Sequence, residues 1–192
     1  MAKKQVEKSV ENDTCVGNGN ICDEKRLIFL MDVVNQEMTK NVIEKLVAFQ
    51  QENPKEDITM IINSYGGVCY DLFAIVDCMD ASYPDCRTIV TGTAMSAAAV
   101  IFACGTPGKR LMTKHSRLML HGVSSGAWGT LKNIEIELKE SKALEDAIVE
   151  RLLLSTKMNR EQLTKIMEQD TYIGAEEAIE LGLCDAIVKK LG

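Results

Sequence analysis

The sequence predicts one α/β domain with a largely parallel sheet, preceded by a polar N-terminal arm. Two observations carry this prediction. From Arg26 onward, short apolar runs alternate with amphipathic stretches, which is typical of strands and helices that follow one another along a chain. The chain has 192 residues, of which 46% are hydrophobic and 26% charged, so it has enough apolar content for one globular core of ordinary size.

The first 24 residues differ in composition from the rest. Residues 1–24 are rich in Asn, Gly and Glu, and they carry too few apolar side chains to offset the entropy of ordering them alone. We therefore expect a flexible arm at residues 1–24 and a folded domain at residues 25–192. Lys3 and Lys4 are followed by no apolar stretch, so we expect no secretory signal and a cytoplasmic location.

The predicted elements follow one another in order through the domain. Pro54 ends the first helix, and the Ser64–Gly67 turn leads into the second. The 11 apolar or small residues from Ala94 to Cys104 predict a buried helix, because a membrane span needs about 20. The predicted strands are 26–31, 57–63, 86–92, 110–113, 117–121 and 184–188, and the predicted helices are 38–53, 68–81, 94–104, 131–155, 160–168 and 175–181.

The predicted 131–155 helix carries apolar residues on two sides. Ile136, Ala143 and Ala147 lie nearly opposite a broader apolar face. Such a helix is covered either by a partner subunit or by the rest of its own domain, and the pattern does not separate these alternatives. The broader face consists of Leu131, Ile134, Leu138, Leu144, Ile148 and Leu152.

Charge and cysteine content argue against several functional classes. The net charge is -6 and there is no basic block, so we expect no nucleic-acid partner. The seven cysteines form no CxxC pair and lie mostly in apolar segments, which is typical of reduced core thiols. With two histidines and no closely spaced cysteines, the chain is expected to bind no metal, and no other cofactor or membrane contact is expected.

Three polar side chains are candidates for hydrolytic chemistry. Ser96 stands among small residues between a predicted strand and a predicted helix, so a substrate can approach its hydroxyl and helix N–H groups lie nearby. His121 closes a predicted strand and is a better candidate base than His115, which lies in a polar turn. Asp170, between two predicted helices, is one candidate acid. The other candidate acids are Asp71, Asp77 and Asp185.

Each candidate also has an ordinary structural explanation. A serine can fill a tight junction, a histidine at a strand end is often structural, and an aspartate can cap a helix. The glycines of NSYGGV, residues 63–68, either expose backbone N–H groups to an oxyanion, with Gly67 as the candidate donor, or only satisfy a turn. The local patterns leave these alternatives open.

Taken together and in order, six segments resemble the Clp protease proteolytic subunit (ClpP) family over about residues 25–190. The resemblance implies a ClpP/crotonase-like fold with repeated β-β-α units, in which the 131–155 helix is a protruding handle. It also implies a serine endopeptidase whose catalytic triad falls on Ser96, His121 and Asp170. The six segments are KRLIFL, ENPKEDITMIINSYGG, GTAMSAAA, GKRLMTKHSRLMLH, IEIELKE and QDTYIGAEEAIELGLCDAIV.

The same resemblance implies further site residues and partners. The oxyanion donors would be the backbone N–H groups of Gly67 and Ala97, and the loop around 122–129 would pair with the substrate backbone. Family members assemble as two seven-membered rings that meet through the handle and enclose a proteolytic chamber, so a homo-oligomer is expected, with an AAA+ unfoldase as the partner that delivers peptide or unfolded-protein substrates. The implied substrate-binding residues are Gly66, Val68, Val123 and Ser124.

The sequence departs from the family pattern at several positions. Tyr65 replaces the usual proline before the double glycine, and Gly122-Val123 replaces Gln-Pro after the histidine. Met95-Ser96-Ala97 stands in place of Ala-Ser-Met, and residues 1–24 do not match the axial segment that engages the unfoldase. A stand-alone or phage-encoded relative is therefore one alternative. Two others are a crotonase-like enzyme acting on acyl-coenzyme A, which would need no Ser–His pair, and a non-catalytic ring subunit.

Overall fold

The structure, a computed structural model, describes residues 25–190, and the predicted arm at residues 1–24 lies outside the described residues. The described part contains strands and helices in alternation. The strands are β1 (Leu27–Leu30), β2 (Ile58–Ser64), β3 (Cys86–Met95), β4 (Arg110–Thr113), β5 (Arg117–Leu120), β6 (Thr171–Gly174) and β7 (Ala186–Val188). The helices are α1 (Gln36–Glu52), α2 (Cys69–Asp80), α3 (Ala97–Ala103), α4 (Leu131–Ser155), α5 (Arg160–Met167) and α6 (Ala175–Glu180).

A seven-stranded sheet organises the domain. Strands β1, β2, β3, β4 and β7 are neighbours in that order, and each pair is parallel. Strand β5 lies parallel beside the second half of β3, and β6 pairs antiparallel with β5. The predicted α/β class with a largely parallel sheet is confirmed.

Strand β3 is longer than its sequence predicts and has two different neighbours on one side. Thr88–Val90 pairs with β4, and Thr93–Met95 pairs with β5. The sequence predicts that the next helix begins at Ala94, whereas Ala94 and Met95 belong to the strand. Pairing with β5 decides this boundary, because a tertiary ladder overrides the helix preference of a short alanine-containing stretch.

Helix α3 lies at the centre of the core, as its alanine-rich sequence predicts. All seven of its residues are buried, with exposed fractions of 0–4%. Its small side chains allow close packing against the sheet and the neighbouring helices α2 and α4. The N-terminus of α3, which directly follows Ser96, is therefore held in one position by a dense core.

Helix α4 protrudes from the domain. Residues 131–140 are exposed on every side, whereas Ile148, Val149 and Leu152 are buried. The chain's own domain does not cover residues 131–140. The two-sided apolar pattern in this part of the helix therefore does not reflect packing within the domain. The exposed apolar side chains on the protruding part, between 37% and 81% accessible, are Leu131, Ile134, Ile136 and Leu138.

Strand β6 is the one described element that the sequence does not predict. It has four residues, of which Tyr172 is exposed, so it lacks the alternating pattern of a longer strand. The strand forms because β5 offers it an antiparallel partner. Across residues 25–190, no helix combines the length and the apolar character needed to cross a bilayer.

Candidate active site

The register of two antiparallel strands brings His121 next to Asp170. Leu120, the last residue of β5, pairs with Thr171, the first residue of β6. Opposed residues in an antiparallel ladder advance in opposite directions, so the next pair beyond this end is His121 and Asp170. Asp170 lies between α5 and α6 as the sequence predicts, and it directly precedes β6, a strand that the sequence does not predict.

Ser96 reaches the same place from the neighbouring strand. Met95, at the end of β3, pairs with Met119 in β5, and the Ser96 N–H donates to the Met119 carbonyl oxygen over 2.8 Å. Ser96 thus lies immediately beyond β3, beside the end of β5. The ends of β3, β5 and β6 together bring three residues that are distant in sequence to one side of the sheet.

The three predicted side chains form a continuous chain of contacts. Ser96 Oγ lies 2.8 Å from His121 Nε2, and His121 Nδ1 lies 3.3 Å from Asp170 Oδ1. The imidazole is largely buried, whereas 61% of the Asp170 side chain is exposed. In the neutral imidazole that carries its proton on Nδ1, Nε2 accepts a hydrogen bond from the serine hydroxyl. His115, the histidine not favoured from sequence, is exposed in the turn between β4 and β5.

Ser96 has an unusual backbone conformation. Its φ is 52° and its ψ is -124°, a region that costs a residue with a side chain on the order of 1–3 kcal/mol. The conformation makes a sharp turn between β3 and α3, similar in its effect to the strand-to-helix elbow that carries the nucleophile in other hydrolases. Although Ser96 is the N-cap of α3, its hydroxyl makes no capping hydrogen bond, so the hydroxyl is available to His121.

The loop between β2 and α2, a glycine loop that contains Gly66 and Gly67, packs against Ser96. Gly66 has a φ of +92°, and a Cβ added to it would stand 2.9 Å from the Ser96 Cβ. Val34 holds the loop, because its N–H donates to the Gly66 carbonyl oxygen over 2.9 Å and its carbonyl oxygen accepts from Val68 N–H over 2.8 Å. A Cβ at Gly67 would meet the Val34 carbonyl oxygen at 2.1 Å. Only glycine fits at these two positions.

The backbone N–H groups of Gly67 and Ala97 are free within the described residues. Ala97 is the first residue of α3, where an N–H has no partner inside the helix. Gly67 lies in the loop between β2 and α2, and neither N–H donates a hydrogen bond to an atom of residues 25–190. Both residues line the same cavity as Ser96, so the two N–H groups are available to a ligand there.

A cavity of about 280 Å³ adjoins the serine and the histidine. Of the predicted substrate-binding residues, Val123 and Ser124 line it, while Gly66 packs behind Ser96 and Val68 is exposed beside the glycine loop. Burial raises the pKa of the Cys69 thiol, which lies in its wall. The apolar lining residues include Cys69, Ala97, Val100, Met119, Leu120, Val123, Ile148 and Met167.

The segment that follows His121 is hydrogen-bonded to residues of α5 and α4. Gly122 N–H donates to the Met167 carbonyl oxygen over 2.7 Å, at the end of α5. Val123 N–H donates to Glu145 Oε2 over 2.9 Å, on α4. Glu145 is not predicted from the sequence, because nothing in the local pattern of α4 separates it from the other glutamates of that helix.

A protein metal site requires several ligating side chains close to one another. Within the part of the chain that the structure describes, no group of three or more His, Cys, Asp and Glu side chains lies close enough to hold a metal ion.

The fold and the site together define a class of protein. An α/β domain that aligns a hydroxyl, an imidazole and a carboxylate beside two N–H groups without a partner in residues 25–190 has the arrangement of the serine hydrolases. The chain belongs to the Clp protease family, because residues 11–191 match the sequence model described as Clp protease. This match begins within the segment predicted to be an arm.

Two curated relatives support the assignment. The chain is 36% identical over 166 residues to ATP-dependent Clp protease proteolytic subunit 2 of Frankia casuarinae, which covers 86% of this chain and 76% of the relative. It is also 36% identical over 166 residues to ATP-dependent Clp protease proteolytic subunit 1 of Prochlorococcus marinus, covering 86% of this chain and 85% of the relative. The resemblance found in the sequence is confirmed, and the chain is a peptidase of the ClpP type.

Proposed function

We propose that the chain is a serine endopeptidase in which Ser96 is the nucleophile, His121 the general base and Asp170 the residue that orients the histidine. The observation that carries this proposal is the 2.8 Å contact between Ser96 Oγ and His121 Nε2. A serine hydroxyl is a weak nucleophile unless a base stands within hydrogen-bond distance. A crotonase-like enzyme or a non-catalytic ring subunit would have no need of this contact.

The reaction follows from the order of the three groups. As Ser96 Oγ attacks the peptide carbonyl carbon, His121 Nε2 takes the hydroxyl proton, and the resulting imidazolium then gives that proton to the leaving amine. A water molecule, deprotonated by the same nitrogen, then attacks the acyl carbon; the bond from that carbon to Ser96 Oγ breaks, the imidazolium returns the proton to Oγ, and the second product leaves as a carboxylic acid. Asp170 Oδ1, 3.3 Å from Nδ1, favours the tautomer in which Nε2 is the acceptor and stabilises the imidazolium.

The backbone N–H groups of Gly67 and Ala97 are proposed to bind the oxyanion of the tetrahedral intermediate. Gly67 and Ala97 line the same cavity as Ser96, and their N–H groups have no partner within residues 25–190. In other serine proteases, loss of one such donor costs roughly 10²- to 10³-fold in rate. Since both donors belong to the backbone, their placement depends on the glycine loop and on the N-terminus of α3.

The proposed substrate path runs between two segments of backbone. Gly66 packs against Ser96, with exposed Val68 two residues further along the same loop, and Val123 and Ser124 line the cavity that adjoins Ser96. An extended peptide held between them would place its scissile carbonyl at Ser96 and one side chain in the largely apolar cavity. Such binding uses main-chain hydrogen bonds for affinity and the cavity for selection.

We further propose that the chain works as a homo-oligomer, in heptameric rings that stack through α4 and enclose a chamber in the cytoplasm. The exposed apolar side chains on residues 131–140 support a partner surface there, because contiguous apolar patches mark association sites. Both curated relatives are named as ATP-dependent, which supports an AAA+ unfoldase as the partner that delivers unfolded protein. The alternative is a stand-alone or phage-encoded peptidase that cuts its substrates without an unfoldase.

Replacement of the nucleophile tests the chemistry. We expect Ser96→Ala to lower peptide cleavage by roughly 10⁶-fold, by comparison with another serine protease, and to abolish labelling by a fluorophosphonate probe. Labelling in the parent should also require His121. Ser82→Ala is the matched control, because this hydroxyl bonds the Cys78 carbonyl oxygen outside the site. Cleavage by Ser96→Ala at near the parental rate would remove the assignment.

The assembly is tested by the mass of the native particle. We expect the 192-residue chain to give the mass of one or two rings. The same chain without residues 1–24 tests whether that segment is needed for assembly and for stimulation by an AAA+ ATPase. A stable monomer would contradict the chamber. Cleavage of folded proteins without any ATPase would favour the stand-alone alternative.

A further inference from the structure

The chain after His121 runs alongside the base of α4 and is held to it by two polar contacts. Val123 N–H donates to Glu145 Oε2 over 2.9 Å, and the hydroxyls of Ser125 and Ser141 are 2.8 Å apart. Two residues of extended chain cover about 6.6 Å, and four residues of helix cover about 6 Å. Contacts two residues apart on this segment therefore meet residues four apart on α4, and the two elements run in opposite directions.

These contacts decide which backbone groups of the segment remain available. The N–H groups of Gly122 and Val123 are both committed, the first to the Met167 carbonyl oxygen and the second to Glu145. From Ser124 to Gly126, no N–H donates to an atom of residues 25–190. The first N–H that a bound peptide can use is therefore that of Ser124, directly after the residue that Glu145 holds.

Glu145 lies closely against the segment. A Cβ atom added to Gly122 would stand 2.8 Å from Glu145 Oε2, so this carboxylate occupies the space where residue 122 would otherwise carry a side chain. Glu145 also borders, together with His121 and Asp170, a second cavity of about 400 Å³ beside the candidate site. Glu145 does not line the cavity that contains Ser96, so its carboxylate supports the segment from outside that cavity.

We propose that Glu145 is a positioning residue for substrate: by accepting the Val123 N–H it fixes the Ser124–Gly126 backbone where a peptide can pair with it. This proposal rests on the serine endopeptidase function argued above. Glu145 touches neither Ser96 nor a reacting atom, so its loss should weaken peptide binding and leave the chemistry at Ser96 largely intact. The 2.9 Å hydrogen bond from Val123 N–H to Glu145 Oε2 anchors a segment that lies outside the sheet.

Three substitutions of Glu145 separate the effect of side-chain length from the effect of side-chain charge. Glu145→Ala removes the acceptor, Glu145→Asp keeps the charge but withdraws it by one methylene, and Glu145→Gln keeps an oxygen acceptor at the same reach. The matched control is Glu150→Ala, which removes a carboxylate from the same helix whose partner is Arg160. Each protein is assayed for kcat and KM with a peptide that extends on both sides of the cleaved bond, and for its rate of labelling by a small fluorophosphonate.

We expect the Ala and Asp variants to raise KM about 10-fold with kcat changed by less than about 3-fold, and the Gln variant and Glu150→Ala to stay close to the parent. Fluorophosphonate labelling should be similar in all variants, since the small probe does not pair with residues 124–126. Hydrogen exchange at the Val123 amide should accelerate in the Ala and Asp variants but not in the Gln variant.

An active parent whose KM is the same in the Ala and Asp variants would overturn the positioning role while leaving the peptidase proposal in place. A loss of labelling that parallels the loss of cleavage would also overturn it, because the defect would then lie in the whole site. If the Ala variant fails to fold, the Asp variant gives the same test with a conservative change. A parent that is neither labelled nor active would overturn the proposed function itself.

Discussion

Gly66 and Ser96 are in direct contact: a Cβ atom on residue 66 would stand 2.9 Å from the Ser96 Cβ and 2.5 Å from the Met95 carbonyl oxygen. The Met95 oxygen is a backbone atom and the Ser96 Cβ is bonded directly to the backbone. Neither atom can move without disturbing the turn between β3 and α3. The loop that carries Gly67 and the junction that carries Ser96 are therefore one packed unit. The position of the hydroxyl depends on the absence of a side chain 30 residues earlier in the chain.

Gly66→Ala should displace Ser96 and lower kcat/KM by at least about 100-fold, because a misplacement of about 1 Å at a reacting group can cost that much. The variant should also lose about 1–3 kcal/mol of unfolding free energy, through overpacking and the left-handed backbone. Peptide kinetics and urea unfolding measure the two effects.

Gly108→Ala is the matched control for Gly66→Ala. Gly108 has a similar φ of +86°, but a Cβ there would have no neighbour within 4 Å. We expect it to lose about 1–2 kcal/mol of stability with unchanged kcat/KM. Equal activity losses in the two variants would show that contact with Ser96 is not the cause.

Asp170→Asn should reduce kcat by roughly 10²- to 10⁴-fold, because the amide stabilises the wrong tautomer of His121 and offers no charge to the imidazolium. The lower part of this range reflects the 61% exposure of the carboxylate, since water already screens its charge. Single-turnover peptide cleavage measures the effect. Glu168→Gln removes a neighbouring exposed carboxylate and should change kcat little, and a similar loss in both variants would argue for a general charge effect.

Asp185 and Arg110 form a largely buried ion pair, with Nε–Oδ2 and Nη2–Oδ1 distances of 2.9 and 2.6 Å. Burial acts to raise the pKa of Asp185, but hydrogen bonds from Arg110 and from the Gly108 N–H outweigh it and leave this pKa below its usual value. A carboxyl group whose pKa is lower in the folded chain stabilises the fold above its unfolded pKa of about 3.9. That contribution is lost as the pH falls through the lower, folded value.

Asp185→Asn should therefore reduce the free energy of unfolding by about 2–4 kcal/mol at pH 7. The difference from the parent should shrink as the pH falls below about 4. Urea unfolding at several pH values measures it, and Asp146→Asn, whose exposed carboxylate is 3.9 Å from Arg160, should cost less than about 1 kcal/mol. A difference between parent and Asp185→Asn that stays constant down to pH 3 would contradict this account.

The core thiols should resist alkylation. Burial raises the pKa of Cys86 to about 12 and that of Cys104 to about 11, and the thiolate is the reactive form. In the folded chain at pH 8, iodoacetamide should modify half-buried Cys69 and Cys78 before either core thiol, with peptide mass spectrometry as the measurement. Urea should abolish the difference. Equal rates in the folded chain would mean that the core opens more readily than its packing indicates.

Local patterns predict most of the elements. The bounds predicted for α4 and for β4 are those of the structure, because a long apolar stripe and a short apolar run between polar turns are local signals. The end of β3 and the whole of β6 are not predictable in this way. Both owe their conformation to β5, which is distant in sequence from β6 and contacts only the second half of β3.

The choice among the candidate acids shows where local inference stops. Four aspartates are open on composition and position alone, and only the family resemblance points to Asp170. In the structure, Asp185 is paired with Arg110, whereas Asp170 follows the register of β5 and β6 to His121. Glu145 has no sequence signal at all, because its partner is a backbone N–H and a backbone group leaves no mark on the sequence.

The sequence by itself determined the α/β class, the order of the helices, the buried alanine-rich helix and the membership of a peptidase family, because each depends on side-chain type and spacing along the chain. Tertiary structure alone decided that Ser96, His121 and Asp170 lie within hydrogen-bond or ion-pair distance, that two nearby N–H groups have no partner among the described residues, and that Glu145 accepts a hydrogen bond from the neighbouring segment. The physical reason is that strand register and backbone hydrogen bonding join residues without regard to their separation in sequence.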